Sequence, residues 1–159
     1  MKPMTIGIIT GVLAGLLLGW LIALLVMPKL LFKETESTIG FDATVSRVQE
    51  QIDAKGWKTP MVHDLQATMK KFNLDVRSVK VFEICHPDHS YNILKESDER
   101  IVSSMMPCRI SVYEKEDGSV WISRMNSGLV AKPMDRIIRK TMSAAAKDVE
   151  TIIAEVIGE

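Results

Sequence analysis

Residues 108–126, CRISVYEKEDGSVWISRMN, decide the fold. Two runs of alternating apolar and polar residues flank the turn Glu116-Asp117-Gly118-Ser119, and alternation at period two around an Asp-Gly pair is a β-hairpin. Upstream, residues 79–85 (VKVFEIC) are rich in β-branched and aromatic side chains and read as a central strand. Pro87 sits just inside a short helix after that strand, where its missing N–H costs nothing. Further upstream, Phe32–Ser37 and Trp57–Val62 read as strands. The segment Phe41–Lys55 reads as a helix, with Val45, Val48 and Ile52 at spacings of three and four and Gly56 closing it. Asp64 is placed to cap a helix through Leu65, Met69 and Phe72 that ends at Asn73. Downstream, a long helix begins after Pro133, with Ile138, Met142, Ala145, Val149, Ile152 and Val156 forming its stripe. The sum is an α+β domain: a mixed β-sheet with helices packed on one face.

Before this domain lies a different kind of sequence. Residues 5–27, TIGIITGVLAGLLLGWLIALLVM, contain no ionisable side chain. As a helix they span about 35 Å, enough for a hydrocarbon core of about 30 Å. The run ends in Pro28-Lys29-Leu30-Leu31-Phe32, without the small-residue site a cleavable leader carries. The expected organisation is therefore a single transmembrane anchor over residues 1–33 and a domain over 34–159. The expected location is the membrane, single-pass, most simply a bacterial inner membrane. Gly7, Gly11, Gly15 and Gly19 share one groove of that helix, where a second backbone can approach. A homodimer, or another membrane protein, is the expected partner there, beside the bilayer itself. Lys2 on one side against Lys29 and Lys33 on the other leaves orientation nearly balanced.

Composition excludes several classes. The chain has 159 residues, with 20 basic and 20 acidic side chains, so no whole-molecule field favours a polyanion and no nucleic-acid partner is expected. Two cysteines exclude a disulfide scaffold. No phosphate loop, dinucleotide fingerprint or Gly-x-Ser-x-Gly elbow is present.

The chemistry-bearing residues are His63, Cys85, His86, His89 and Cys108. If the strands at 57–62 and 79–85 run parallel through a helical crossover, His63 and Cys85 share one end of the sheet, and Cys108 joins them. Thiolate and imidazole suit a soft metal ion or haem iron, so these five form a candidate metal or cofactor site. A helix N-terminus beside Cys85 favours its thiolate. The two cysteines could instead form a disulfide, or serve as buried core thiols. Asp64, Glu83 and Arg109 are further polar candidates at the same end.

The stretches VHDLQATMKKFN (62–73), FEICHPDHSYNIL (82–94) and MMPCRISVYEKEDGSVWISRMN (105–126) resemble the bacterial and archaeal family known as domain of unknown function 302. The resemblance covers roughly residues 35–157 and rests on His63, Asp64, Cys85, Pro87, Pro107 and Cys108. It implies a compact α+β domain, often dimeric, with an N-terminal leader or anchor in some members and fusion to sulfur-handling domains in others. It implies no established activity, and it tilts the domain toward the extracytoplasmic side. The leading expectation is a non-enzymatic binding or redox module, tethered to a membrane, with a Cys/His-lined pocket for a soft metal, haem or a sulfur species. The rivals are an enzyme using Cys85 as nucleophile with His86 or His63 as base, and a structural subunit docking through the last helix.

Overall fold

The computed structural model describes residues 3–158. Helix α1 (Pro3–Leu31) leads directly into strand β1 (Phe32–Ser37). Helix α2 (Phe41–Ala54), β2 (Lys58–Asp64), α3 (Leu65–Lys70), β3 (Val79–Cys85) and α4 (Pro87–Leu94) follow. A 3-10 helix, η1 (Asp98–Met105), precedes the hairpin β4 (Cys108–Glu114) and β5 (Val120–Met125), and α5 (Ser127–Val130) and α6 (Arg136–Ile157) close the chain.

The five strands form one sheet in the order β1-β5-β4-β3-β2. Every neighbouring pair is antiparallel. The expected α+β architecture is present, but the parallel pairing of β2 with β3 is not formed. The connection explains why. Helix α3 has six residues, about 9 Å of rise, whereas a seven-residue strand is about 23 Å long. Asn73 takes a left-handed conformation (φ 57°) just beyond α3 and turns the chain back. So short a helix cannot carry the chain back along the full strand, and β3 returns beside β2 in the opposite sense. The helix expected to run through Phe72 to Asn73 ends at Lys70, and Phe72, just past it, is 68% exposed.

Period-two alternation decides which face is covered. Phe82 and Ile84, Ile110 and Val112, and Val120 and Ile122 point from β3, β4 and β5 toward α2 and α6. Val48 and Ile52 of α2 meet Val149, Ile152, Ile153 and Val156 of α6 over them, with Trp57 at one edge. Each such side chain contributes about 1.5–3 kcal/mol by leaving water. Helix α6 thus spends its apolar stripe inside the domain rather than on an outside partner. A second, smaller cluster of Ile93, Val102, Ala131 and Ile138, with Met106, Met134 and Met142 against it, holds α4, η1 and α5 to the start of α6.

Helix α1 runs beyond the expected Met27 to Leu31, with Pro28 inside it. Its stretch Gly11–Leu31 has a mean hydropathy of 2.3 and buries nothing against the domain. By length and composition it suits a membrane anchor or a signal sequence alike. Nothing in the fold lies within 4 Å of a Cβ built at Gly11, Gly15 or Gly19. The surroundings of Gly7, and Lys2 with its part in the orientation reading, lie outside the described residues. The last carbonyls of α1 are met by the domain: Asn126 donates its backbone N–H to Leu31 O (2.7 Å) and its Nδ2 to Leu30 O (3.1 Å).

Candidate functional site

The end of β3 and the start of β4 lie side by side, with Ile84 opposite Cys108. Cys85, the next residue, therefore sits one register step from Cys108, and both thiols are free. Both line a hollow of about 50 Å³ bounded by α4, η1, β3, β4 and α6. Cys108 also packs on the main core. Burial raises its thiol pKa, and the neighbouring Cys85 adds to the effect. Cys85 Sγ lies 3.0 Å from Ser90 Oγ, one turn into α4.

Helix α4 supplies the imidazoles because His86 caps it and His89 follows in its first turn. Their ring centroids are 4.8 Å apart, and Trp57 approaches both, at 5.5 and 5.7 Å. His89 Nε2 is 2.8 Å from Asp148 Oδ2 on α6, a bond that fixes the ring and ties α4 to α6. His86 differs: its Nδ1 is shut from solvent with no hydrogen-bond partner. Native interiors rarely leave such an atom unsatisfied, which sets His86 apart from the tied His89.

Four of the five expected site residues, Cys85, His86, His89 and Cys108, therefore share one hollow. His63 does not. Antiparallel pairing sets it opposite Val81 on the open face of the sheet, where it donates to Glu83 Oε1 (3.1 Å), and Arg109 reaches the same oxygen at 3.3 Å. The His63 hydrogen bond, with Arg109 beside it, holds the Glu83 carboxyl below its usual pKa. Asp64 caps α3 by accepting from Ala67 N at 2.7 Å. Among the described residues no three His, Cys, Asp or Glu side chains are placed to hold one metal ion. The five-residue metal site is thus not assembled: strand direction removes His63, and Asp148 occupies His89. The hydrogen-bond partner of Cys85 among the described residues is the Ser90 hydroxyl.

Sequence reasoning missed five contributors. Met105, Met106 and Met142 bring thioethers to the same walls; the Met-Met-Pro-Cys run was a visible signal. Ser90 and Asp148 carried no signal beyond their polarity.

A larger hollow of about 490 Å³ adjoins the first, and Met105, Met106, Pro107, Cys108, Ser127 and Met142 border both. The β4–β5 ladder runs from Ile110↔Arg124 to Glu114↔Val120, so Cys108 and Arg109 lie beyond its last pair, where this space opens. Arg124, 8% exposed, bonds Glu150 through Nε (3.3 Å) and Nη2 (2.5 Å) and Thr35 through Nη1 (2.6 Å) at its wall. Burial alone pushes the Glu150 carboxyl up, but Arg124 and Lys33 outweigh it and hold the pKa low.

The family model for the domain of unknown function DUF302 matches residues 33–159. The chain belongs to the DUF302 family. An uncharacterized protein of Aquifex aeolicus (strain VF5) is 27% identical over 141 residues, covering 86% of this chain and 91% of that one. The crystal structure of an uncharacterized conserved DUF302 protein from Bacillus stearothermophilus is similar at a TM-score of 0.71 and 16% identity, over 80% of this chain and 98% of that chain. That likeness shows the fold alone. The DUF302 match begins one residue after Phe32, so α1 precedes the matched region.

Proposed function

We propose that this DUF302 protein is a membrane-tethered, non-catalytic binding module whose thiol- and imidazole-lined hollow takes a small sulfur-seeking ligand. Residues 1–33 form the anchor and 34–159 the binding domain. The observation that carries the reading is the hollow itself: two free thiols and the His86 and His89 imidazoles line one small space walled by methionine and apolar side chains. Soft donors without a carboxylate among the lining side chains favour a sulfane-sulfur species or a monovalent soft ion. With a polysulfide, the Cys85 thiolate takes one sulfur atom to become a persulfide, and the shortened polysulfide leaves with the negative charge. The uncovered glycine groove of α1 supports pairing with a second copy in the bilayer, and the domain is placed outside the cytoplasm.

The test is thiol counting and intact-mass measurement on the reduced full chain after exposure to polysulfide or to a Cu(I) donor. One added sulfur or one ion per chain, lost in Cys85→Ser, supports the reading. Two thiols that bind neither reduce Cys85 and Cys108 to packing residues. For the tether, Gly11→Ile with Gly15→Ile weakens self-association in bilayers; unchanged association removes the glycine groove from the proposal.

A further inference from the structure

The geometry points to a second ligand site: we propose that the 490 Å³ hollow binds a single-tailed amphiphile with an acidic head, drawn from the bilayer. This rests on reading α1 as a membrane anchor. Three observations converge. First, the volume is that of a small-molecule pocket and its surface is mainly apolar, with Phe32, Val81, Met106 and Met125 among its walls. Second, its place is at the foot of the anchor. Phe32 is the residue after the last of α1, pairs with Met125 in register, and is 57% exposed, while Asn126 clamps the carbonyls of Leu30 and Leu31. An apolar helix that ends at the rim of an apolar hollow brings that rim to the level of the lipid headgroups, where amphiphiles partition. Third, charge is sorted within the hollow. Arg124 is buried and already engaged by Glu150 and Thr35. Arg109 keeps its guanidinium two-thirds exposed, with one long bond of 3.3 Å to Glu83, and so has donors free for a carboxylate.

The tail would lie along Phe32, Met106 and Met125, whose unbranched thioethers adapt to a flexible chain. The floor on the open sheet face is set by Ser111 and Ser123, which stand opposite each other in β4 and β5 and leave a dip between larger neighbours. Cys108 borders this space as well as the thiol hollow, so a bound amphiphile covers one side of that sulfur.

The experiment uses the full chain in phosphatidylcholine vesicles with a diazirine-bearing fatty acid, photolysed and mapped by peptide mass spectrometry. Labels on residues 105–111 and on Met125 are expected. Ser123→Phe, which fills the dip from an already accessible position, lowers them about tenfold. Arg109→Gln lowers labelling by the acid about tenfold, the usual scale for one charged hydrogen bond, and leaves labelling by the matching fatty alcohol unchanged. Labels confined to α1, or domain labels indifferent to Ser123→Phe, overturn the proposal. Carbonate washing of the same vesicles reports the anchor separately. A chain released by carbonate refutes the tether, and labelling in detergent micelles then decides the site alone.

Discussion

Arg124→Met is the most informative single perturbation of the domain, because it removes a charge from a buried network while keeping most of the side-chain volume. Arg124 is 8% exposed and joins β5 to Glu150 on α6 and to Thr35 on β1. Removing one partner of a fully buried pair costs about 3–5 kcal/mol. Here the Glu150 side chain is 37% exposed and retains Lys33 at 3.1 Å, so solvent and the lysine recover part of that loss. The expected cost is about 2–3 kcal/mol, or about 8–12 °C in Tm for a domain of this size. Circular-dichroism melting of the detergent-solubilised full chain at pH 7 reads it. The pH dependence supplies an independent check. The folded Glu150 carboxyl lies below its ordinary value of 4.5. Its contribution is therefore present above about pH 4.5 and is lost as pH falls through the folded pKa. The gap between wild type and variant should narrow below pH 4.5, and Glu150→Gln added to Arg124→Met should cost less than the two singles together. A loss under 0.5 kcal/mol at pH 7, or a gap unchanged at pH 3, refutes the network as a structural tie.

Other outcomes follow from the same coordinates. Iodoacetamide at pH 7 should modify Cys85 before Cys108, because burial raises the Cys108 pKa and its side chain packs on the core; mass mapping of a time course decides, and equal rates contradict the packing. Gly118 holds φ at +82° in the β4–β5 turn, so Gly118→Ala should cost about 1 kcal/mol, measured by urea unfolding, even though nothing lies near an added Cβ. Asp148→Ala removes the bond that fixes His89 and should cost about 1 kcal/mol, with faster amide exchange in α4 than elsewhere; uniform exchange would deny that bond its local role.

How much of this was legible in the sequence depends on whether a local signal existed. The hairpin around Asp117-Gly118, the strand at 79–85, Pro87 at the start of α4 and the stripe of α6 are local patterns, and each element is present. Strand direction is not local. Nothing in residues 57–85 states that β2 and β3 pair antiparallel; only the shortness of α3 and the reversal at Asn73 hint at it. That one choice moved His63 from the thiol hollow to the open face. The hollow was otherwise foreseeable, since Cys85 and Cys108 end and begin strands that a β3–β4 pairing makes neighbours. The helices η1 and α5 escaped notice because they are short, eight and four residues, and with them went Met105 and Met106 as wall residues.

The position of the hollow carries a dynamic consequence. The main core joins α2, α6 and the sheet through fourteen buried side chains, whereas the lobe of α4, η1 and α5 rests on four, with three methionines against them. Opening free energy scales with the apolar contacts broken, so this lobe opens locally at far lower cost than the sheet. Thioethers repack with little strain, which lowers the cost again. The walls of the thiol hollow are built from this lobe on one side and from β3 and β4 on the other. Access to Cys85 and Cys108 is thus governed by the weakest part of the domain, while the β3–β4 register that seats both residues at its border is governed by the strongest. On the proposed reading, a ligand larger than this space of about 50 Å³ enters by opening the lobe and leaves the β3–β4 register intact.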